Sequence, residues 1–448
     1  MVQREPPDSA ALGAFVSELA FENVPDAAVR LAERCFVDTV GVTLAGAMEG
    51  AGATAAAIAE GGSTTLLGRK NTATLADAAL VNGTAGHGLD FDDVSWGMDG
   101  HPSVTLVAPA LTVGERVDAT GRELLTAFVA GFETECALAA PISPGHYERG
   151  WHPTATFGTF GAAAVTASLL DFDERATQHA LDIAASMPAG LKRNFGTMTK
   201  PLHVGQAVRS GITAGLLADE GFTADSAAIA GSDGFWDLYA GVDGVDRDIE
   251  YGLGNRWAIL EDGVHVKKYP CCYFTHTSIA NVIDLVTEFD IAPDEVERIE
   301  IYASRGAVDA LPHEDPTMGL EAKFSMPHTV AWAVLHRRVG LAAFEESGLD
   351  KSAVDALRDR VSLRVDSELH YDAHESRMLL ETTGGDVYER VRENPPGTHE
   401  DPLPLEELRA KYEMCAERAL EPAAVDDSWA ALDDLRSQPS TRALVNTL

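Results

Sequence analysis

The chain has 448 residues, 45% of them hydrophobic, and its 34 Lys and Arg against 70 Asp and Glu leave a formal net charge of −36. That length exceeds one ordinary core and implies two or three domains, while the apolar content excludes a disordered chain. So acidic a surface repels nucleic acid and anionic membranes, and no apolar run approaches the roughly 18–20 residues of a membrane helix.

The N-terminal stretch Met1 to Asp8 lacks a basic region followed by an apolar run, so a cytoplasmic protein without a signal peptide is expected. Only eight of the basic residues are lysine. An acid-rich, lysine-poor surface suits a salt-rich cytoplasm, where the Debye length is about 3 Å at 1 M, and a halophilic source is expected. Cys35, Cys136, Cys271, Cys272 and Cys415 are odd in number and form no CxxC pair, so buried thiols are expected rather than disulfides or a zinc ribbon.

The elements in chain order begin as helices. Val29, Ala32, Phe36 and Val40 recur at helical spacing after Pro25, and Ala-rich helical segments follow at 51–60, 74–86, 104–117, 122–140, 160–170 and 174–187. Small residues dominate them, which predicts closely packed helices. After residue 266 the period changes. Ile299 and Ile301 flank Glu300, Leu363 and Val365 flank Arg364, and Leu379 to Val391 turns around Gly384-Gly385, a hairpin signal. Pro327 to His336 between them is amphipathic. Beyond Asn394-Pro395-Pro396-Gly397, Leu405, Leu408 and Tyr412 return to helix. The expected fold is mainly α, with a discontinuous all-helical domain over 1–266 and 397–448 and a smaller α+β domain over 267–396.

Five clusters carry chemistry. Gly88-Leu89-Asp90-Phe91-Asp92-Asp93 precedes His101-Pro102-Ser103; three carboxylates in four residues make either a solvated turn or a buried Asp that orients a histidine. Trp151-His152-Pro153-Thr154 places an imidazole beside the free N–H groups of a helix start, a natural carboxylate site. The others are Lys192-Arg193 with Lys200-Pro201-Leu202-His203, Lys267-Lys268-Tyr269-Pro270-Cys271-Cys272 with Thr275-His276, and Ala322-Lys323-Phe324-Ser325 with His328. Five of the eight lysines fall in these last three clusters, as binding of a small anion with several carboxylates requires. Gly50-Ala51-Gly52-Ala53-Thr54-Ala55 loosely matches a dinucleotide fingerprint but follows a helix rather than a strand.

Taken together and in this order, these motifs resemble the MmgE/PrpD family, which includes 2-methylcitrate dehydratase, cis-aconitate decarboxylase and iminodisuccinate epimerase. The resemblance implies a large helical domain with an α+β lid and a homodimer formed through the helical domain. It implies catalytic positions Asp90, His101, His152, Lys200 and His276, with Lys267, Lys268, His203 and His328 binding a small di- or tricarboxylate, and neither metal nor cofactor. The decarboxylase branch resembles Asp-Phe-Asp-Asp-Thr, where this chain has Val94, and its spacing to the His-Pro is one residue shorter. The expected reaction is therefore dehydration of 2-methylcitrate, with decarboxylation of cis-aconitate, epimerisation, or non-catalytic binding as alternatives. In it His101 transfers the proton, His152 and His276 bind carboxylate or protonate the leaving hydroxyl, Asp90 orients its neighbours and Lys200 pairs with a substrate carboxylate.

Overall fold

The computed structural model describes residues 6–241, 244–249, 251–345, 352–371 and 373–448; the first five residues, on which the leader reading largely rests, lie outside them. Helices take 55% of the residues and strands 9%, so the class is mainly α. No helix among the described residues is long and apolar enough to cross a membrane. The chain divides into two compact units, Met1–Val266 with Pro404–Leu448, and Lys267–Leu403.

In the first unit, helix α1 (Asp26–Ala47) starts after Pro25, carries Asp26 in its first turn against the positive helix end, and is buried without a break from Cys35 to Ala47. A short hairpin follows, β1 (Gly61–Thr65) paired antiparallel with β2 (Thr72–Ala73), which corrects the all-helical expectation for this region. Its threonines are β-branched and fit a pleated surface better than a helix. Helices α2 (Leu75–Gly86), α3 (Pro102–Val117), α4 (Gly121–Ala139), α5 (Pro153–Leu169) and α6 (Thr199–Asp219) build the rest of the core. Thr120 and Glu123 form a capping box that fixes the start of α4, and every residue of α5 from Pro153 to Ala167 is buried.

Such complete burial needs small side chains at the crossings. Gly83 of α2 and Gly205 of α6 face each other so closely that a Cβ on Gly83 would lie 2.9 Å from the Gly205 Cα, and one on Gly205 would strike the Leu80 carbonyl oxygen and the Thr84 hydroxyl. The backbone of α6, which carries Lys200 and His203 on its first turns, is thereby set against α2.

The second unit has a four-stranded sheet in the order β4-β3-β5-β6, formed by β3 (Val296–Ala303), β4 (Val361–Val365), β5 (Ser376–Thr382) and β6 (Val387–Arg392). β3 runs parallel to β4 and antiparallel to β5, and β5 turns into β6 through Gly385 at φ 88°. Ile299 and Ile301 point into an apolar core shared with α7 (His276–Glu288) and α8 (Met326–His336). The chain then returns to the first unit as α9 (Leu405–Ala416).

Gly205→Ala should lower stability by about 1–3 kcal/mol, the usual cost of overpacking a tight contact. Denaturant unfolding checks this; an unchanged midpoint would mean that the α2–α6 crossing is looser than described.

Candidate active site

Two helices of the first unit start in the same way. His101 precedes Pro102 at the head of α3 with φ −108° and ψ 93°, and His152 precedes Pro153 at the head of α5 with φ −103° and ψ 97°. Proline is tolerated in a first turn because its missing N–H is free there in any case, and the residue before it is held extended. The His101 N–H donates to the Thr154 hydroxyl at 3.1 Å, so the two helix heads are tied to each other. Each turns an imidazole and a positive helix end to one region.

The acidic turn between α2 and α3 closes that region. Asp90 adopts φ 53°, the left-handed conformation that Asp tolerates better than most residues. Its Oδ1 lies 2.6 Å from Lys200 Nζ, and both side chains are nearly buried. A lysine in the first turn of α6 sits at the unfavourable end of the helix dipole, and the Asp90 carboxylate offsets that. The Lys200 ammonium also lies 5.1 Å from the Phe195 ring centre.

Two residues on, Asp92 is wholly buried, and its Oδ2 lies 2.7 Å from His87 Nδ1 and 3.3 Å from His101 Nδ1. Burial alone would push the Asp92 carboxyl up, but the two histidines override it and hold it well below the usual range. Burial drives His87 down to about 4, against the pull of Asp92, so its imidazole is neutral at pH 7 with Nδ1–H donating to the carboxylate. The same carboxylate lies beside the His101 ring, whose Nε2 is 3.9 Å from Asp90 Oδ1. The His87 ring stands edge-on to that of His101, with centres 4.7 Å apart.

His152 meets His203 of α6, Nδ1 to Nδ1 at 3.1 Å. Burial pushes His152 well below its ordinary value, and His203 is lowered by burial and then by Lys200. Two neutral imidazoles therefore share one hydrogen bond. The structure brings together five of the residues singled out in the sequence, namely Asp90, His101, His152, Lys200 and His203, and adds His87 and Asp92.

Two pairings differ from those expected. Asp92 is the carboxylate nearer the His101 ring, 3.3 Å from Nδ1, with Asp90 3.9 Å from Nε2. Lys200, expected to wait for a substrate carboxylate, already holds Asp90. His87 escaped the sequence reading because it lies outside the acidic motif; its signal is its position three residues before Asp90, where α2 ends. Among the described residues, His87, Asp92 and His101 are the group whose donor atoms, all within 4.8 Å of one another, could hold a metal ion. The adjacent Lys200 ammonium works against a divalent cation there.

The remaining expected residues belong to the second unit. His276 opens α7, fully buried, with Nε2 3.4 Å from the Cys271 carbonyl and its ring between Tyr269 and Tyr273. Lys267 is 2% exposed, Lys268 is half-buried, and the carbonyl of buried Lys323 accepts the Cys272 N–H at 2.9 Å. His328 is completely buried beside Phe344, with Nε2 2.9 Å from the Ala343 carbonyl, and burial lowers it from its ordinary value. That contact braces α8 through Nε2, with the imidazole neutral at pH 7. All five cysteines are buried, and none of them forms a disulfide.

The sequence matches the MmgE/PrpD N-terminal domain over residues 10–248 and the MmgE/PrpD C-terminal domain over residues 269–435. The chain belongs to the MmgE/PrpD family. Human (Homo sapiens) cis-aconitate decarboxylase is 27% identical over 80% of this chain and 74% of its own length. The mouse (Mus musculus) enzyme is 26% identical over 77% and 72%, and that of Aspergillus terreus 25% over 76% and 74%. In this MmgE/PrpD chain the N-terminal match contains the whole His101 cluster, and the C-terminal match runs on into α9.

Asp93 completes the acidic turn, fully buried, accepting the Ser103 N–H at 3.3 Å; burial, with Asp38 adding, pushes its carboxyl up to about 7. The folded chain thus keeps a proton that the unfolded chain releases near pH 4. This group's contribution is complete below about 4 and is lost as the pH rises toward 7. Asp93→Asn removes that loss. Between pH 5 and pH 8 the wild type should lose about 2–3 kcal/mol more than the variant at fixed salt, at about 1.4 kcal/mol per pH unit. Parallel unfolding curves for the two proteins would place Asp93 in its ionised form throughout.

Proposed function

We propose that this protein is a lyase of small tricarboxylates, and that decarboxylation of cis-aconitate stands ahead of dehydration of a 2-methylcitrate-like hydroxy acid. The observation that carries the reading is His101, whose Nδ1 lies 3.3 Å from the buried carboxylate of Asp92, with the Asp90–Lys200 pair beside its other nitrogen. An imidazole placed beside a buried carboxylate can give a proton to carbon or take one back. The relatives named cis-aconitate decarboxylase put the unsaturated acid first.

In that reaction His101 delivers a proton to the vinylic carbon of the substrate. The bond from the allylic methylene to its carboxylate breaks, its electron pair forms the new terminal double bond as the old one shifts, and carbon dioxide leaves. Loss of the allylic rather than the vinylic carboxylate avoids an sp² carbanion. The heads of α3 and α5 favour the remaining carboxylates, and a dissociated Lys200 ammonium adds a charge-assisted donor. A second reading, dehydration, is favoured by the His152–His203 pair, since losing water needs one group to take the α-proton and another to protonate the hydroxyl.

Incubation with cis-aconitate and with 2-methylcitrate diastereomers at high potassium chloride, followed by proton NMR, tests both. Terminal vinyl protons and carbon dioxide are expected from cis-aconitate; turnover of a non-carboxylate alone would end the reading. His101→Gln keeps hydrogen bonding but cannot cycle a proton, and should lose at least about 10²-fold in turnover. A near-normal rate would return the proton to the His152–His203 pair.

A further inference from the structure

We propose that Lys411, on the returning helix α9, is a positioning residue that holds the His101 site by gripping the backbone between its two working carboxylates; this rests on the lyase reading above. Lys411 is 5% exposed. Its Nζ donates to the Phe91 carbonyl at 2.9 Å, lies 2.5 Å from Asp38 Oδ1 and sits 3.9 Å from the centre of the Phe91 ring. Phe91 is the single residue between Asp90, which pairs with Lys200, and Asp92, which pairs with His87 and His101. One ammonium therefore fixes the carbonyl and the ring of the residue whose displacement would move both carboxylates.

The choice of residue supports this. The chain uses eight lysines among 34 basic residues. A lysine offers one compact charge with three donors, which a planar guanidinium cannot concentrate on a carboxylate, a carbonyl and a ring face at once. Stability alone is a weak reason to bury the pair, because apolar replacements of buried ion pairs are commonly neutral or stabilising. Geometry is the better reason. Asp38 of α1 supplies the counter-charge and anchors the ammonium in the core, so the grip passes from two helices to the Asp90–Asp92 turn.

Lys411→Met alone leaves Asp38 buried without its partner, so the decisive protein is the double variant Lys411→Met with Asp38→Asn. It should melt close to the wild type yet lose at least about 10-fold in kcat on cis-aconitate, with KM within about threefold, as expected when a reacting group is misplaced rather than removed. A second readout needs no substrate. Histidines labelled with ¹³C at Cε1 are observed by NMR at one fixed pH, with the His101 signal assigned from its loss in His101→Gln. His101 faces Asp90, Asp92, His87, Lys200 and His152, and movement of the Asp90–Asp92 turn should shift its Cε1–H signal in the double variant. An unchanged kcat together with an unchanged His101 signal in the folded double variant would overturn the proposal. So would failure of the double variant to fold, which would make Lys411 a residue of the fold. If the wild type turns over no tricarboxylate, the lyase reading falls, while the His101 signal still decides the role of Lys411.

Discussion

Three carboxylates within four residues, all withdrawn from water, set the terms on which the first unit can fold, because a buried charge without a partner costs several kcal/mol. The chain answers each differently. Asp90 takes a lysine, Asp92 takes two imidazoles, and Asp93 takes a backbone N–H and keeps its proton toward neutrality. Those answers draw α2, α3 and α6 to one short turn, and the imidazoles of the site are where they are because the turn needs them.

Precision in that arrangement depends on helices that approach closely. The Ala- and Gly-rich segments leave little side chain between backbones, as at Gly83 and Gly205, so the first turn of α6 is located by backbone contact rather than by flexible side chains. A substitution that thickens the crossing by one methyl group therefore acts on the Lys200–Asp90 distance as well as on stability.

The second unit was the more legible in outline. The alternation around Glu300 places Ile299 and Ile301 in the core of β3, and the Gly384-Gly385 signal marks the turn between β5 and β6. Helix α6 was not legible as a helix, because Pro201, Gly205 and Gly211 break the apolar period that a helix normally shows, and its small residues matter only through what they touch. The site was legible as a set of motifs but not in its pairings. Asp90 and Asp92 look equivalent as letters, and which one reaches His101 depends on a positive φ at Asp90 that no composition reveals. The surroundings of His328 were hidden for a similar reason, because Phe344 and the Ala343 carbonyl beside it come from beyond the helix.

The contact between Phe91 and Lys411 spans 320 positions of sequence. At roughly 5–20 residues per second, a ribosome needs on the order of 16–64 s to travel from one to the other. For that interval the acidic turn has emerged without the ammonium that seats it, and all of the second unit is synthesised in between. The first unit must wait half-made, with Asp38 and its neighbours repelling one another, until the last helices arrive. In a chain of this charge the ions of the surrounding solution add counter-charge during that wait, so dissolved salt acts on the birth of the fold before it acts on the finished protein.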